Sequence, residues 1–416
     1  MLYLSQPMSP RHPQSPASPA VLRPSTLRVL GTSITIIEPI VALAEADLGF
    51  KVEYEVLDFI ACQRKAALEP GAYDVYDQCF HNLDIVWFWG ALQPLDTLRL
   101  DKWDEVSDLT KRGRISRHGW QGHGDAPVKK LYVQPGGSLG SDQSRFISML
   151  PTVHNLDSFG YDVGVFGSGN RNRESWAWLL DPRARGRIAL VDEPAIGIFD
   201  AALAAEASGA ITFRDIGNLD VQEIDALMDL LEEKRQQGYF RAVWRDADEA
   251  RQLILEGRTS VQSMWSPAYW GLGEADRRFV ESVPVEGYRA WHGGISLAHH
   301  VSGRLQEMAY EYMNWWLSGR PGALMARQGY YMSVAGTVRH ALADDEWSYW
   351  YGGEEAIRDL PGPDGEIAVR AGTRRAGGSY WDRANRIAVW NTVMDEHNYA
   401  VRAWNRFVAR VRADVA

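Results

Sequence analysis

The sequence predicts an α/β protein of two lobes, each a mostly parallel sheet flanked by helices, with a ligand cleft between them. Three observations predict it. From Leu27 onward short apolar strands alternate with helical stretches, the pattern that lays parallel strands under helices. A second alternation begins near Tyr161. A late strand of small residues, Gly293–Ala298 (GGISLA), can carry the chain back to the first sheet.

The elements follow in order. Leu27–Gly31 reads as a buried strand and Thr32–Ser33 as a polar turn; Glu38–Leu48 then has helical spacing, with Pro39 in its first turn. Lys51–Leu57 alternates as a strand, Phe59–Leu68 returns to helical spacing, Val75–Gln78 is a third strand, and Asn82–Gly90 starts a helix. Residues 102–126 and the glycine-rich Gly136–Ser144 read as loops. His154–Asp157 reads as a polar loop near the first crossing between lobes, contact with the cleft being the alternative. The second lobe takes strands at Tyr161–Phe166, Arg187–Val191, Thr259–Met264 and Val280–Pro284, with helices at Pro194–Ala207 and Val221–Gln237. Helices Leu305–Leu317 and Ala323–Gln328 come next, Gly352–Gly378 reads as loop, and Trp381–Val411 as mostly helix. This places lobe 1 at 27–163 plus 296–380, and lobe 2 at 164–295 plus part of 381–416. Clefts at such domain junctions, beside the carboxyl ends of strands, are where ligands sit.

Composition narrows the function. A formal net charge of −10 leaves no basic stripe to displace counterions, so no nucleic-acid partner is expected. Seventeen tryptophans are more than an ordinary core uses, and indole rings often line ligand clefts. Residues 1–26, rich in Pro and Ser, carry no apolar run long enough for a signal peptide and read as a disordered leader or a misplaced start site. No later run suits a bilayer span, so no membrane insertion is expected. Two cysteines, Cys62 and Cys79, build no disulfide framework, though they remain able to pair. The adjacent His299 and His300 lack zinc spacing, and Gly136–Gly140 lacks the Lys-Ser/Thr of a phosphate loop, so no metal or other cofactor is expected.

Four stretches then carry a resemblance: Gly49–Tyr54 (GFKVEY), Gly71–Asp74 (GAYD), Leu253–Trp265 with its ILEGRTSVQSMW run, and Val285–Ala298 (VEGYRAWHGGISLA). Their order resembles the bacterial extracellular solute-binding proteins of ABC importers, in particular the spermidine/putrescine-binding branch. The resemblance spans roughly residues 27–410. It implies the type II periplasmic-binding-protein fold, a small-molecule ligand, a transient ABC permease partner, a monomer, and a periplasmic or other extracytoplasmic location. A start at Met1 implies a cytoplasmic one instead. Carried over by position, it implies ligand contacts at Thr32, Ser33, Cys79, His81, Asp192, Glu193, Trp265, Trp291, Tyr330 and Asn391.

The departures loosen the ligand. Polyamine receptors of this branch put an aromatic pair where this chain has Thr32 and Thr35, and an acid where it has Gly293. A polyamine-like amine, or an amino acid, opine or betaine-like compound, is therefore expected, not spermidine itself. A second reading is a cytosolic enzyme on the same scaffold. Cys79 stands two residues from His81, and a histidine partner lowers a thiol pKa. Some thiamine-cleaving enzymes share this fold and use a cleft cysteine; here Asp192 or Glu193 would supply the acid.

Overall fold

The computed structural model describes residues 26–167, 174–269, 272 and 278–415; the expected leader lies outside these apart from Thr26. β1 (Thr26–Gly31), α1 (Glu38–Asp47), β2 (Lys51–Val56), α2 (Phe59–Leu68) and β3 (Val75–Cys79) form the first alternation. β1 lies between β2 and β3 and is parallel to both, its Leu27, Val29 and Leu30 inaccessible. α2 starts at Asp58, whose carboxylate accepts from the Ala61 amide at 2.8 Å, and buries Cys62 and Ala66, one helical turn apart.

β4 (Leu150–Asp157) is buried along its whole length, and only Ser158 separates it from β5 (Phe159–Asp162). β4 belongs to the first sheet and β5 to a second, so the chain crosses here with no intervening loop. The second sheet takes in β6 (Ile188–Val191), followed by α3 (Pro194–Ala207) and α4 (Val221–Gln236), then β7 (Phe240–Trp244), β8 (Val261–Ser263) and β9 (Phe279–Glu281). The chain returns through β10 (Tyr288–Ala298), the central strand of the first sheet. α5 (Gly303–Trp316), β11 (Tyr331–Met332) and β12 (Ile387–Trp390) follow, and α6 (His397–Val415) closes the chain against the second sheet.

The first sheet runs β11-β4-β10-β3-β1-β2 and the second β7-β6-β8-β5-β9. Each keeps a parallel run at one end of its order, β3/β1/β2 in one and β7/β6/β8 in the other. The crossing strands β4, β5 and β10 mostly pair antiparallel, because a strand arriving directly from the other sheet enters from the opposite end. The sheets divide the chain at Ser158, between Glu281 and Tyr288, and after Trp390. Sequence pattern reads His154–Asp157, the end of β4, as a polar loop and β12 as part of a helix.

Each sheet has its own apolar core. In the second, Trp404 of α6 is fully buried against α3, its indole N–H donating to the Asp192 carbonyl at 2.7 Å. Gly197 makes this packing possible, since a Cβ there would overlap the Trp404 ring and the Val191 carbonyl. Alanine ordinarily improves a helix interior by about 1 kcal/mol over glycine. Here overpacking dominates, and Gly197→Ala is expected to lose about 1–3 kcal/mol in urea unfolding. A gain would mean that α6 is not seated as described.

Candidate ligand-binding site

A cavity with about 300 Å³ of atom-free space, counted out to its mouth, opens where the carboxyl ends of the parallel strands of both sheets meet. The first sheet supplies Ile34 from the turn after β1, Phe59 at the start of α2, Cys79 ending β3, His81 beyond it, Trp291 on β10, and Tyr330 just before β11. Ile196 in the first turn of α3 and Trp265 just beyond β8 face them from the second sheet, and Asn391 enters from the third crossing. The Trp291 and Tyr330 rings meet edge to face, centroids 5.2 Å apart, and Trp265 braces on Trp244 at 4.9 Å. Such pairs hold rings rigidly without exposing them to water.

Comparison with known proteins gives a sharp answer for shape and none for sequence. No family model and no curated protein matches this chain. Among solved structures, it is similar to a Listeria monocytogenes protein described as a spermidine/putrescine ABC transporter, with 15% identity, TM-score 0.63, and 92% of this chain and 98% of that one covered. It is similar to the Tp0655 (TpPotD) lipoprotein of Treponema pallidum, with 10% identity, TM-score 0.61 and coverage of 93% and 99%. It is also similar to the periplasmic binding protein MotA from A. tumefaciens B6 in complex with glucopine, with 13% identity, TM-score 0.54 and coverage of 93% and 100%. The fold is that of the type II periplasmic binding proteins.

Within the type II fold, six of the residues picked from sequence line one cavity: Cys79, His81, Trp265, Trp291, Tyr330 and Asn391. The other four do not. Thr32 is buried inside the turn, where its carbonyl accepts from the Ile36 amide, and Ser33 points to solvent. The turn instead presents Ile34. Asp192 faces away, toward Arg245 at 3.2 Å and Arg412, because α6 docks behind the end of β6. Glu193 caps α3 through the Ala195 amide at 3.2 Å and stays one layer behind the wall; burial pushes its carboxyl up to about 7. Ile34, Phe59 and Ile196 are lining residues that the sequence reading missed. Phe59 and Ile196 sit in the first turns of helices that follow cleft strands, and that position was the available signal.

The carboxylate nearest the rings comes from β4. Asp157 accepts from the Trp291 indole N–H at 2.8 Å and from the Asn155 side-chain amide at 2.7 Å. Burial, only partly offset by Arg289, pushes its carboxyl up to about 6. Gly293, where an acid would have been expected, instead pairs with Cys79 across the β10/β3 ladder, and a Cβ there would come within 3.1 Å of Val153. Below this layer Arg289 donates to Asp200 of α3 at 2.6 Å and to Asn391 Oδ1 at 3.2 Å, which ties β10, the third crossing and the second sheet together.

Cys79 is not built as a nucleophile. It is unpaired, as is Cys62, and burial together with the charges of Asp77 and Glu193 pushes its thiol pKa up, so the thiolate is absent near neutral pH. His81 makes no hydrogen bond to any described residue, and burial pulls its pKa down to about 3. Carbamidomethylation of Cys79 by iodoacetamide at pH 8 is expected to run at least about tenfold slower than that of an exposed cysteine. Faster labelling would restore the thiol to an active role. Among the described residues no three or more His, Cys, Asp or Glu side chains converge as a metal site, and no helix is long and apolar enough to cross a membrane.

Proposed function

We propose that this chain is the substrate-binding component of an ABC importer. It captures one small organic solute between two lobes and hands it to a membrane permease outside the cytoplasm, acting as a monomer. The observation that carries this is the ring-lined cavity at the junction of two sheets that are joined only by crossing segments. Similar structures point the same way, since their names speak of spermidine/putrescine transport, a lipoprotein and a glucopine complex. The proposed lobes are 26–157 with 288–390, and 159–281 with 391–415.

Closure then turns about Ser158 and Ser282, which face each other where two crossings run side by side. Ser158 Oγ donates to the Ser282 carbonyl at 2.9 Å, and the Ser282 amide donates to Phe159. Hinges of this kind concentrate the backbone change in a few residues at element ends. The test is a thermal-shift and calorimetry screen of amines, amino acids, opines and betaines against the full chain. A single ligand at one hundred times its Kd should add about 2.7 kcal/mol of stability, shift the tryptophan fluorescence, and be recovered unchanged. Failure of every class to bind, or turnover of the bound compound, would sink the proposal.

A further inference from the structure

We infer that the cavity selects a methylated ammonium compound that carries an oxygen acceptor at its other end, an inference that rests on the proposed binding function. Four rings reach the cavity from four separate segments: Phe59, Trp265, Trp291 and Tyr330. A cation over such a face is attracted by the ring's negative π surface. Among the described lining residues there is no carboxylate and no guanidinium, and the titratable base among them, His81, is neutral.

Carboxyl groups are nonetheless close, held one layer back, although burial pushes Asp77 up to about 7 and Asp157 up to about 6. Asp157 sits behind the Trp291 ring and Asp77 lies beneath Cys79, taking the Thr35 hydroxyl at 2.9 Å. Asp58 and Glu193 are occupied in capping α2 and α3, which also neutralises the two helix N-termini beside the cavity. A cation therefore finds a favourable field but no free carboxylate oxygen. A primary ammonium brings three N–H donors that would lose water and gain too few acceptors. A trimethylammonium head has no N–H to satisfy, and it presents methyl groups to the rings.

The opposite pole donates. Guanidinium groups hold only donors, so the Arg289 contact fixes Asn391 with Oδ1 toward Arg289 at 3.2 Å and Nδ2 toward the cavity. Nδ2 has no partner among the described residues. Neutral His81 lines the same cavity, and its ring carries one N–H. Together they suit a hydroxyl or carboxylate oxygen.

Calorimetry on the full chain with two series separates the possibilities: glycine, dimethylglycine and glycine betaine, and ethanolamine against choline. Affinity should rise with methylation, the fully methylated member of at least one series binding about 100-fold tighter than the unmethylated one. Asn391→Asp keeps an acceptor for Arg289 and removes the donor. It should weaken the oxygen-bearing ligand by about tenfold or more relative to tetramethylammonium. If glycine, ethanolamine, GABA or putrescine binds as tightly as the methylated compounds, the inference falls while the binding function stands. If no amine, amino acid, opine or betaine binds, the binding function itself falls.

Discussion

Replacing Arg289 with Met is expected to lower the unfolding free energy by about 3–5 kcal/mol. Arg289 and Asp200 both have side chains with no solvent exposure, and their contact is 2.6 Å. Asp157 stands 3.7 Å from the same guanidinium. Methionine fills much of the volume but leaves two buried carboxylates without a counter-charge. Burial already pushes the Asp200 carboxyl up in spite of Arg289, so its solvation is poor even when paired. Breaking such a pair from one side is what destabilises; replacing both partners by apolar groups can come close to neutral. The double variant Arg289→Met with Asp200→Leu removes one of the two stranded carboxylates and should therefore recover part of the loss, a coupling readable from urea unfolding of the four proteins in the cycle. A single variant within about 1 kcal/mol of the parent would mean that water reaches this cluster.

The second large effect belongs to Trp291. Trp291→Ala should raise the Kd of the cognate solute about 30- to 1,000-fold, the loss of about 2–4 kcal/mol typical of a central aromatic anchor. The ring is 5% exposed and packs edge-on against Tyr330, so truncation removes a wall and loosens its neighbour. Trp291→Phe separates two roles. It keeps an aromatic face, so binding should fall by about tenfold or less, but it deprives Asp157 of its indole donor and should weaken the fold by about 1–3 kcal/mol. Unchanged affinity in both Trp265→Ala and Trp291→Ala would place the site elsewhere.

Much of this architecture is legible in local pattern. α2 spans Phe59–Leu68 and α3 Pro194–Ala207, the ranges that helical spacing predicts, and β1 to β3 depart from their predicted ends by a residue at most. These segments carry apolar periodicity with turn residues at their borders, which is information held within a dozen neighbours. β4 defeats that reading. Thr152, His154 and Asn155 are all inaccessible, though their polarity reads as loop. Distant partners make the burial of His154 and Asn155 tolerable: His154 Nε2 meets the Tyr380 hydroxyl at 3.0 Å, and the Asn155 amide donates to Ser266 at 2.8 Å. β12 was missed for a different reason, since four residues between helices offer too short a period to detect.

By itself, then, the sequence determined two α/β units, a cleft between them, and three of the four rings that face it, Trp265, Trp291 and Tyr330, but not Phe59. Strand ends and helix starts are local events, and the cavity forms where they converge. Only the tertiary structure decided where the charge lies. It turned Asp192 toward Arg245 and Arg412, used Glu193 as a helix cap, and brought Asp157 under Trp291 through the pairing of β4 with β10. Which polar groups meet depends on register between strands more than a hundred residues apart, and no local period encodes that.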